Sequence, residues 1–318
     1  MRLLPSYELS AHMSSSIAPL RPWAMLEFDP EKWRPLCAAT ASQLGCELHE
    51  LSLLHEIDAA RGITKRKNRR RTTGARLDVD ALQDMVRAYE QFVCEVVAPH
   101  VAESFIGPCD EVVFQAVPSL RVAVPSSKAA GQRHRDGAYG HQPGQINFWL
   151  PLAPAHGNNT LWLEPPSSAD DAEDVGAGRQ HLQSPDAWPL EGSFGTLHRF
   201  HGHACFHFTK PNDTPTTRVS LDFRVIPGPC YDDDWSGSRN QETGVQCFFI
   251  GGYYAKAAFD GRRWAVRRET KPGGGFLRSN AAKHARGVAA DAERGGEALR
   301  DYTQGTPTGE SVPAERIQ

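Results

Sequence analysis

The sequence predicts an α+β fold that is mainly β, with a jelly-roll or sandwich core buttressed by N-terminal helices. Three observations carry this. Apolar residues recur at helical spacing up to about residue 97, the period changes to short β-rich runs from about residue 111, and Pro, Gly and Asn separate those runs. With 318 residues, 40% of them hydrophobic and 23% charged, the chain can bury a sizeable core. One domain over about 25–255 accommodates all the elements, its helical part over about 29–107 and its β core over about 111–255.

Residues 1–24 read as a flexible tail. Met1 to Trp23 carries Arg2, Arg21, several serines and only Glu8 as an acid, a composition also loosely compatible with an organelle transit peptide. Asp29-Pro30 is placed to cap a helix, and Leu44, Leu48, Leu51, Leu54 and Ile57 fall on one helical face. The dense basic run from Lys65 to Arg71 reads as a solvated connector, with a nuclear address or an anion-binding loop as alternatives. A second helix follows, Asp80 and Gln83 spaced as a capping box and Leu82, Met85, Val86, Tyr89, Phe92, Val93, Val96 and Val97 forming its apolar stripe. Pro99 is expected to end it.

Strands are predicted over 111–117, 119–124, 145–152, 160–164, 195–208 and 217–225, and the segment 248–254 supplies a last strand and turn. Several short strands so punctuated favour a sandwich or jelly roll over a parallel sheet. Residues 256–318 are rich in Gly, Arg, Lys, Glu and Ala and are expected to be largely disordered.

The formal net charge of −3 gives no global reason to expect nucleic acid or a membrane surface as partner, so a small molecule is the default. Seven cysteines without Cys-x-x-Cys spacing speak against a zinc knuckle or a disulfide framework and for a reducing compartment. No stretch approaches the roughly 18 apolar residues of a spanning helix, so the protein reads as soluble and cytoplasmic.

Chemistry concentrates in two places. His134-Arg135-Asp136 lies in a Gly-rich turn after a strand, so His134 and Asp136 can point the same way while Arg135 points elsewhere. A later histidine would complete a two-histidine, one-carboxylate metal set that leaves one face of the ion open. Strand alternation in 198–207 puts His201, His203 and His207 on one side and does not choose among them. Downstream, Arg218, Ser220, Asp222 and Arg224 share a face of one strand, and an arginine inside a β core needs an anionic partner.

The motif His134-x-Asp136, a later histidine and Arg218-x-Ser220 resemble the Fe(II)/2-oxoglutarate-dependent dioxygenase superfamily. The longer string His134-Arg135-Asp136, Tyr139, His141, Asn147-Phe148, Phe200, Gly202, Cys205, His207, Asn212, Thr214 and Thr217 to Arg224 is similar to a branch found in antibiotic and carbohydrate biosynthesis, including streptomycin-biosynthesis oxygenase-like proteins. This resemblance covers about 111–255. It implies a double-stranded β-helix, the cupin-like form of the jelly roll, with Fe(II), 2-oxoglutarate and dioxygen as cofactors. In that superfamily an arginine shortly after the distal histidine holds the far carboxylate of 2-oxoglutarate, and Arg218 follows His207 by eleven residues. His207 is therefore the preferred third ligand. Hydroxylation of a small secondary-metabolite or carbohydrate-like substrate, with release of succinate and CO2, is the implied reaction. Asp136 speaks against halogenation, because halogenating relatives carry a small residue there.

Beside Arg218, Ser220 and Asn147 are candidates for co-substrate contact. Asn147 shares a strand face with Gln145 and Trp149, where structural hydrogen bonding is the alternative role. Arg121, Tyr139, Trp149, Trp162 and Gln115 are candidate substrate contacts, against packing or edge solvation as the plainer role. Asp222 and Arg224 are expected to form a structural ion-pair network. Two other readings compete: another cupin-like metalloenzyme, such as an isomerase or a cofactor-independent dioxygenase, and a nucleic-acid-binding regulator acting through 65–71. Specificity is expected on loops 125–132 and 165–188, the latter as a lid.

Overall fold

Alternation along Arg218–Pro227 divides the molecule into two faces. Val219, Leu221, Phe223 and Val225 enter the large apolar core, while Arg218, Ser220, Asp222 and Arg224 point to the other side. The computed structural model describes residues 23–62, 66–67, 71–72, 79–164, 185–239 and 246–267.

In chain order the elements are β1 (Trp23–Glu27), α1 (Arg34–Leu44), α2 (Leu54–Ala60), β2 (Arg66–Lys67), β3 (Arg71–Thr72), α3 (Val79–Phe92) and α4 (Ala98–Ser104). Then come β4 (Glu111–Gln115), β5 (Ser119–Ala123), β6 (Ile146–Pro151), β7 (Leu161–Leu163), β8 (Trp188–Leu190), β9 (Thr196–Phe200), β10 (His207–Thr209), β11 (Arg218–Pro227), β12 (Tyr254–Phe259) and β13 (Trp264–Arg267). The main sheet runs β1-β9-β6-β11-β4-β12-β13, with β5 beside the first half of β11, and a smaller sheet runs β10-β7-β8. Every pairing among the described strands is antiparallel. The fold is thus mainly antiparallel β with helices on one face, as the sequence predicts at that level.

Phe148 and Leu150 of β6, Phe114 of β4 and Phe223 of β11 pack against Leu36, Leu54, Met85, Tyr89, Phe92 and Val93 of the helical layer. Phe148 stacks on Phe223 at 5.5 Å between centroids, and Tyr89 donates its hydroxyl to the Gln115 carbonyl at 2.9 Å, tying α3 to β4. Each such fully buried aromatic or leucine contributes about 1.5–3 kcal/mol of burial. The opposite face of the main sheet is covered too. Trp149 and Phe200 meet Leu163, Leu190 and Cys205 in a second core that holds the small sheet against the large one. The polar face of β11 therefore lies in the interior, next to the site described below.

Several elements differ from expectation. The face formed by Leu44 to Ile57 is not one helix, because Gly45 takes a left-handed conformation (φ 72°) and ends α1, its N–H bonded to Ser42 and Ala41 carbonyls. Asp29 does cap a short 3-10 turn, its carboxylate accepting from the Glu31 N–H at 3.0 Å. Pro99 does not end its helix. Val93–Val97 widens into a π-helical turn closed by the Ala98 N–H to the Val93 carbonyl, which relieves the clash of a proline ring with the preceding turn, and α4 continues to Ser104. The long strand over 195–208 is two strands, β9 and β10, with a turn at Gly202–Cys205 between them.

The sheet also reaches further than predicted at both ends. Trp23–Glu27 pairs with β9 although the flexible tail was expected to run to residue 24, and β12 and β13 carry order to Arg267 where disorder was expected from 256. Backbone pairing with a neighbouring strand orders these segments, and Leu26, Ala255, Ala257, Trp264 and Val266 add to the large core. Most of the basic run, residues 165–184 of the expected lid and residues 268–318 lie outside the described residues. Within the basic run, Arg66–Lys67 and Arg71–Thr72 form a two-stranded antiparallel pair. No helix among the described residues is long and apolar enough to cross a membrane.

Candidate metal centre

His134 and His207 are brought together by backbone pairing. The His134 N–H donates to the His207 carbonyl at 3.1 Å and the His207 N–H to the His134 carbonyl at 2.9 Å, an antiparallel bridge that sets both side chains on the same side. Two residues on, the Asp136 N–H donates to the Gly202 carbonyl at 2.8 Å, which brings its carboxylate to the same point. Beyond Asp136 the chain turns through a 3-10 segment closed by Gly140 at φ 84°, where a Cβ would overlap the Gly237 carbonyl.

The result is a convergent set. One ligand-type atom from each of His134, Asp136 and His207 lies within 4.8 Å of the others. Asp136 Oδ1 is 3.7 Å from His134 Nε2 and 3.6 Å from His207 Nε2. The far nitrogens are held by carbonyls: His134 Nδ1 lies 2.8 Å from the Gln132 oxygen and His207 Nδ1 lies 3.1 Å from the Cys205 oxygen. Those carbonyls accept from an Nδ1–H, leaving each Nε2 lone pair directed at the shared point. Asp136 and His207 are buried and His134 is partly exposed, so the set is open on one side.

Charge in the site follows from its surroundings. Burial pulls the His134 pKa down to about 4, helped by His207 and opposed by Asp136, so the ring is a neutral donor. For Asp136 burial works against ionisation, but Arg224 and His207 outweigh it and hold the carboxyl well below its ordinary range. Two imidazole nitrogens and one carboxylate, one side open, fit a divalent iron of the non-haem oxygenase type.

A second set of groups lies along the same face of β11. Arg218 is buried with its Nε lacking a hydrogen-bond partner among the described residues, and the Ser220 hydroxyl is buried in the same condition. Burial pulls the Arg218 pKa down to about 10, Arg121 adding to this and Asp222 opposing it. Unpaired donors so buried are costly, on the order of 1–3 kcal/mol each and more for a charged group. A carboxylate seated here satisfies them both, which fits a dicarboxylate co-substrate.

The remaining candidates divide. Tyr139 sits edge-on to the His134 ring at 5.4 Å, beside the metal set. Arg121 is engaged with Asp222 at 3.0 Å. Asn147 lies behind the carboxylate rather than on the open side: its Nδ2 donates to Asp136 Oδ2 at 2.7 Å and its Oδ1 accepts from Gln145 at 2.8 Å. These are the structural hydrogen bonds that the sequence offered as its alternative role. Trp149 is buried in the second apolar core, and Trp162 points to the opposite side of β7 from Leu163, under Lys210 at 3.3 Å. Strand alternation turns Trp162 away from His207, whose neighbour across the pair is Leu163. His201 and His203 fall in the turn between β9 and β10, so the alternation that grouped them with His207 does not run through.

Sequence reasoning weighted Gln145, Arg224 and Tyr253 too lightly. Gln145 and Asn147 both donate to Asp136 Oδ2, Arg224 reaches the same carboxylate, and the Tyr253 hydroxyl and Arg224 share Gln115 Oε1. The available signal was polar residues at alternate positions of both β6 and β11, since Arg224 lies directly opposite Asn147.

No protein-family model matches the chain. Among curated proteins it is similar to the streptomycin biosynthesis protein StrG of Streptomyces griseus, 36% identical over 123 residues, 39% of this chain and 51% of that protein. The matched region is about half the length of that relative, and the resemblance to a streptomycin-biosynthesis branch is thereby borne out. Among solved structures, a non-haem monooxygenase, ThoJ with nickel, overlaps 86% of this chain and 95% of its own at 14% identity and TM-score 0.42. AviO1 from Streptomyces viridochromogenes overlaps 66% and 92% at 17% identity and TM-score 0.43. EctD from S. alaskensis, with 2-oxoglutarate and 5-hydroxyectoine, overlaps 66% and 73% at 16% identity and TM-score 0.42.

Proposed function

We propose that this chain is a non-haem iron(II)/2-oxoglutarate-dependent oxygenase acting on a small organic molecule, built on a jelly-roll core. The observation that carries the reading is the pairing of a convergent His134, Asp136 and His207 set with an unsatisfied buried Arg218 and Ser220 along the same interior. His134 Nε2, Asp136 Oδ1 and His207 Nε2 hold the metal. Arg218 and Ser220 would hold the far carboxylate of the co-substrate, a planar guanidinium being suited to a carboxylate. When bound, iron and 2-oxoglutarate together supply oxidation of a C–H bond with dioxygen, the keto acid leaving as succinate and CO2.

The chain's own residues provide position and dryness. Phe200 lies edge-on to His207 at 5.3 Å and Tyr139 edge-on to His134, so both imidazole planes are packed in place. Arg133 forms a two-point ion pair with Glu164, down to 2.6 Å, and lies over the Phe206 ring at 3.5 Å. This fastens the segment bearing His134 to the small sheet bearing His207. The relative's name supports a secondary-metabolite or carbohydrate-like substrate, and hydroxylation is the outcome we favour.

The test is succinate formation from 2-oxoglutarate under air with Fe(II), comparing the wild-type protein with His207→Ala and Arg218→Ala. We expect metal- and keto-acid-dependent succinate in the wild type and its loss in both variants. Metal binding without succinate under any substrate screen would overturn the reading in favour of another cupin-like metalloenzyme.

A further inference from the structure

We propose that Arg224 is a positioning residue that makes Asp136 a one-oxygen ligand, and that Asn147 and Gln145 complete the clamp. The inference rests on the metal reading of the site. The two carboxylate oxygens of Asp136 are not equivalent. Oδ2 accepts from Asn147 Nδ2 at 2.7 Å, Gln145 Nε2 at 2.9 Å and Arg224 Nε at 3.2 Å. Oδ1 faces the two imidazole nitrogens and takes a long 3.4 Å contact from Arg224 Nη2. An oxygen that already accepts three hydrogen bonds has no lone pair directed at a metal. Two-oxygen chelation by Asp136 is therefore blocked, and a coordination position that chelation would occupy stays open for a small ligand.

Arg224 is itself fixed from behind, so it cannot follow the carboxylate if that group rotates. Its Nη1 donates to Gln115 Oε1 at 3.3 Å, which also accepts from the Tyr253 hydroxyl at 2.9 Å. Gln115 in turn donates to the Val117 carbonyl at 2.7 Å and the Ser119 hydroxyl at 3.2 Å. On its other side Nη1 lies 3.6 Å from Asp222, which is held by Arg121. Charge neutralisation alone does not need this: a lysine supplies a point charge, whereas the guanidinium supplies a planar fork of fixed direction.

The experiment uses Co(II) as the probe, titrated into the wild-type protein, Arg224→Lys and Asn147→Ala, with d–d absorption and thermal unfolding both recorded. Arg224→Lys keeps the charge and loses the fork. We expect it to bind Co(II) roughly 10-fold to 100-fold more weakly, the range typical of lost outer partners, with a changed d–d spectrum as the second oxygen becomes available. Asn147→Ala should shift both readouts in the same direction by less. Wild-type affinity and spectrum in a folded Arg224→Lys protein would overturn the proposal. Should that variant not fold, an unchanged spectrum and affinity in Asn147→Ala overturns it. Failure of the wild type to bind Co(II) would overturn the metal reading itself, and the clamp with it.

Discussion

Asp136 Oδ1 and His207 Nε2 lie 3.6 Å apart although they come from different parts of the chain, because the backbone bridge between His134 and His207 closes that distance. The bridge distinguishes His207 from its neighbours. His207→Ala should lower Fe(II) or Co(II) affinity on the order of a hundredfold or more, since loss of a ligand exceeds the cost of losing an outer partner. His201→Ala and His203→Ala should leave the affinity within a few-fold. Equilibrium titration decides this, and equal losses in all three would mean that the third ligand is misplaced.

Arg218 makes no hydrogen bond through its buried Nε among the described residues, which leaves it free to meet a bound anion. Arg218→Ala should weaken 2-oxoglutarate binding by about 1.5–3 kcal/mol, roughly 10-fold to 150-fold, while metal affinity stays unchanged. Calorimetric titration of the metal-loaded protein measures both.

Gly202 is needed for close approach. A Cβ there would overlap the Asn147 side-chain amide, the same amide that donates to Asp136. Gly202→Ala should cost about 1–3 kcal/mol of stability, as overpacking does, and should weaken metal binding through displaced Asn147. Urea unfolding and metal titration of the same variant test the two consequences together.

Acid should destabilise the fold well before its carboxylates titrate. Burial holds His201, His198 and His100 down to about 4 and His141 down to about 3, against about 6.5 in an unfolded chain. Below pH 6.5 the unfolded state takes up protons that the folded state refuses, so stability present above 6.5 is lost as pH falls towards 4. Each fully buried histidine contributes up to about 1.4 kcal/mol per pH unit in that window, the half-buried His100 less. The urea midpoint should drop between pH 7 and pH 5, and a flat profile would contradict the burial of these rings.

Much of this arrangement was legible in the sequence. The period-2 pattern of Arg218 to Val225 separates core from site, and His134-x-Asp136 with Arg218-x-Ser220 marks where the chemistry gathers. What pattern could not show was tertiary. The choice among His201, His203 and His207 depends on a turn that breaks the strand, and the roles of Asn147 and Arg224 depend on which strands neighbour each other. Pro99 misled because a π-helical turn three-dimensionally accommodates a residue that local propensity reads as a stop. Composition averaged over 256–318 hid β12 and β13, although Ala255, Ala257, Trp264 and Val266 pack on the large core once β12 pairs with β4 and β13 with β12.

The most direct measurement is an anaerobic titration of Fe(II) and 2-oxoglutarate followed by visible absorbance, in the wild type, His134→Ala, His207→Ala and Arg218→Ala. We expect a weak metal-to-ligand charge-transfer band only when both components are present, absent in the two histidine variants and shifted to higher 2-oxoglutarate concentration in Arg218→Ala. No band in the wild type despite bound metal would contradict the central claim.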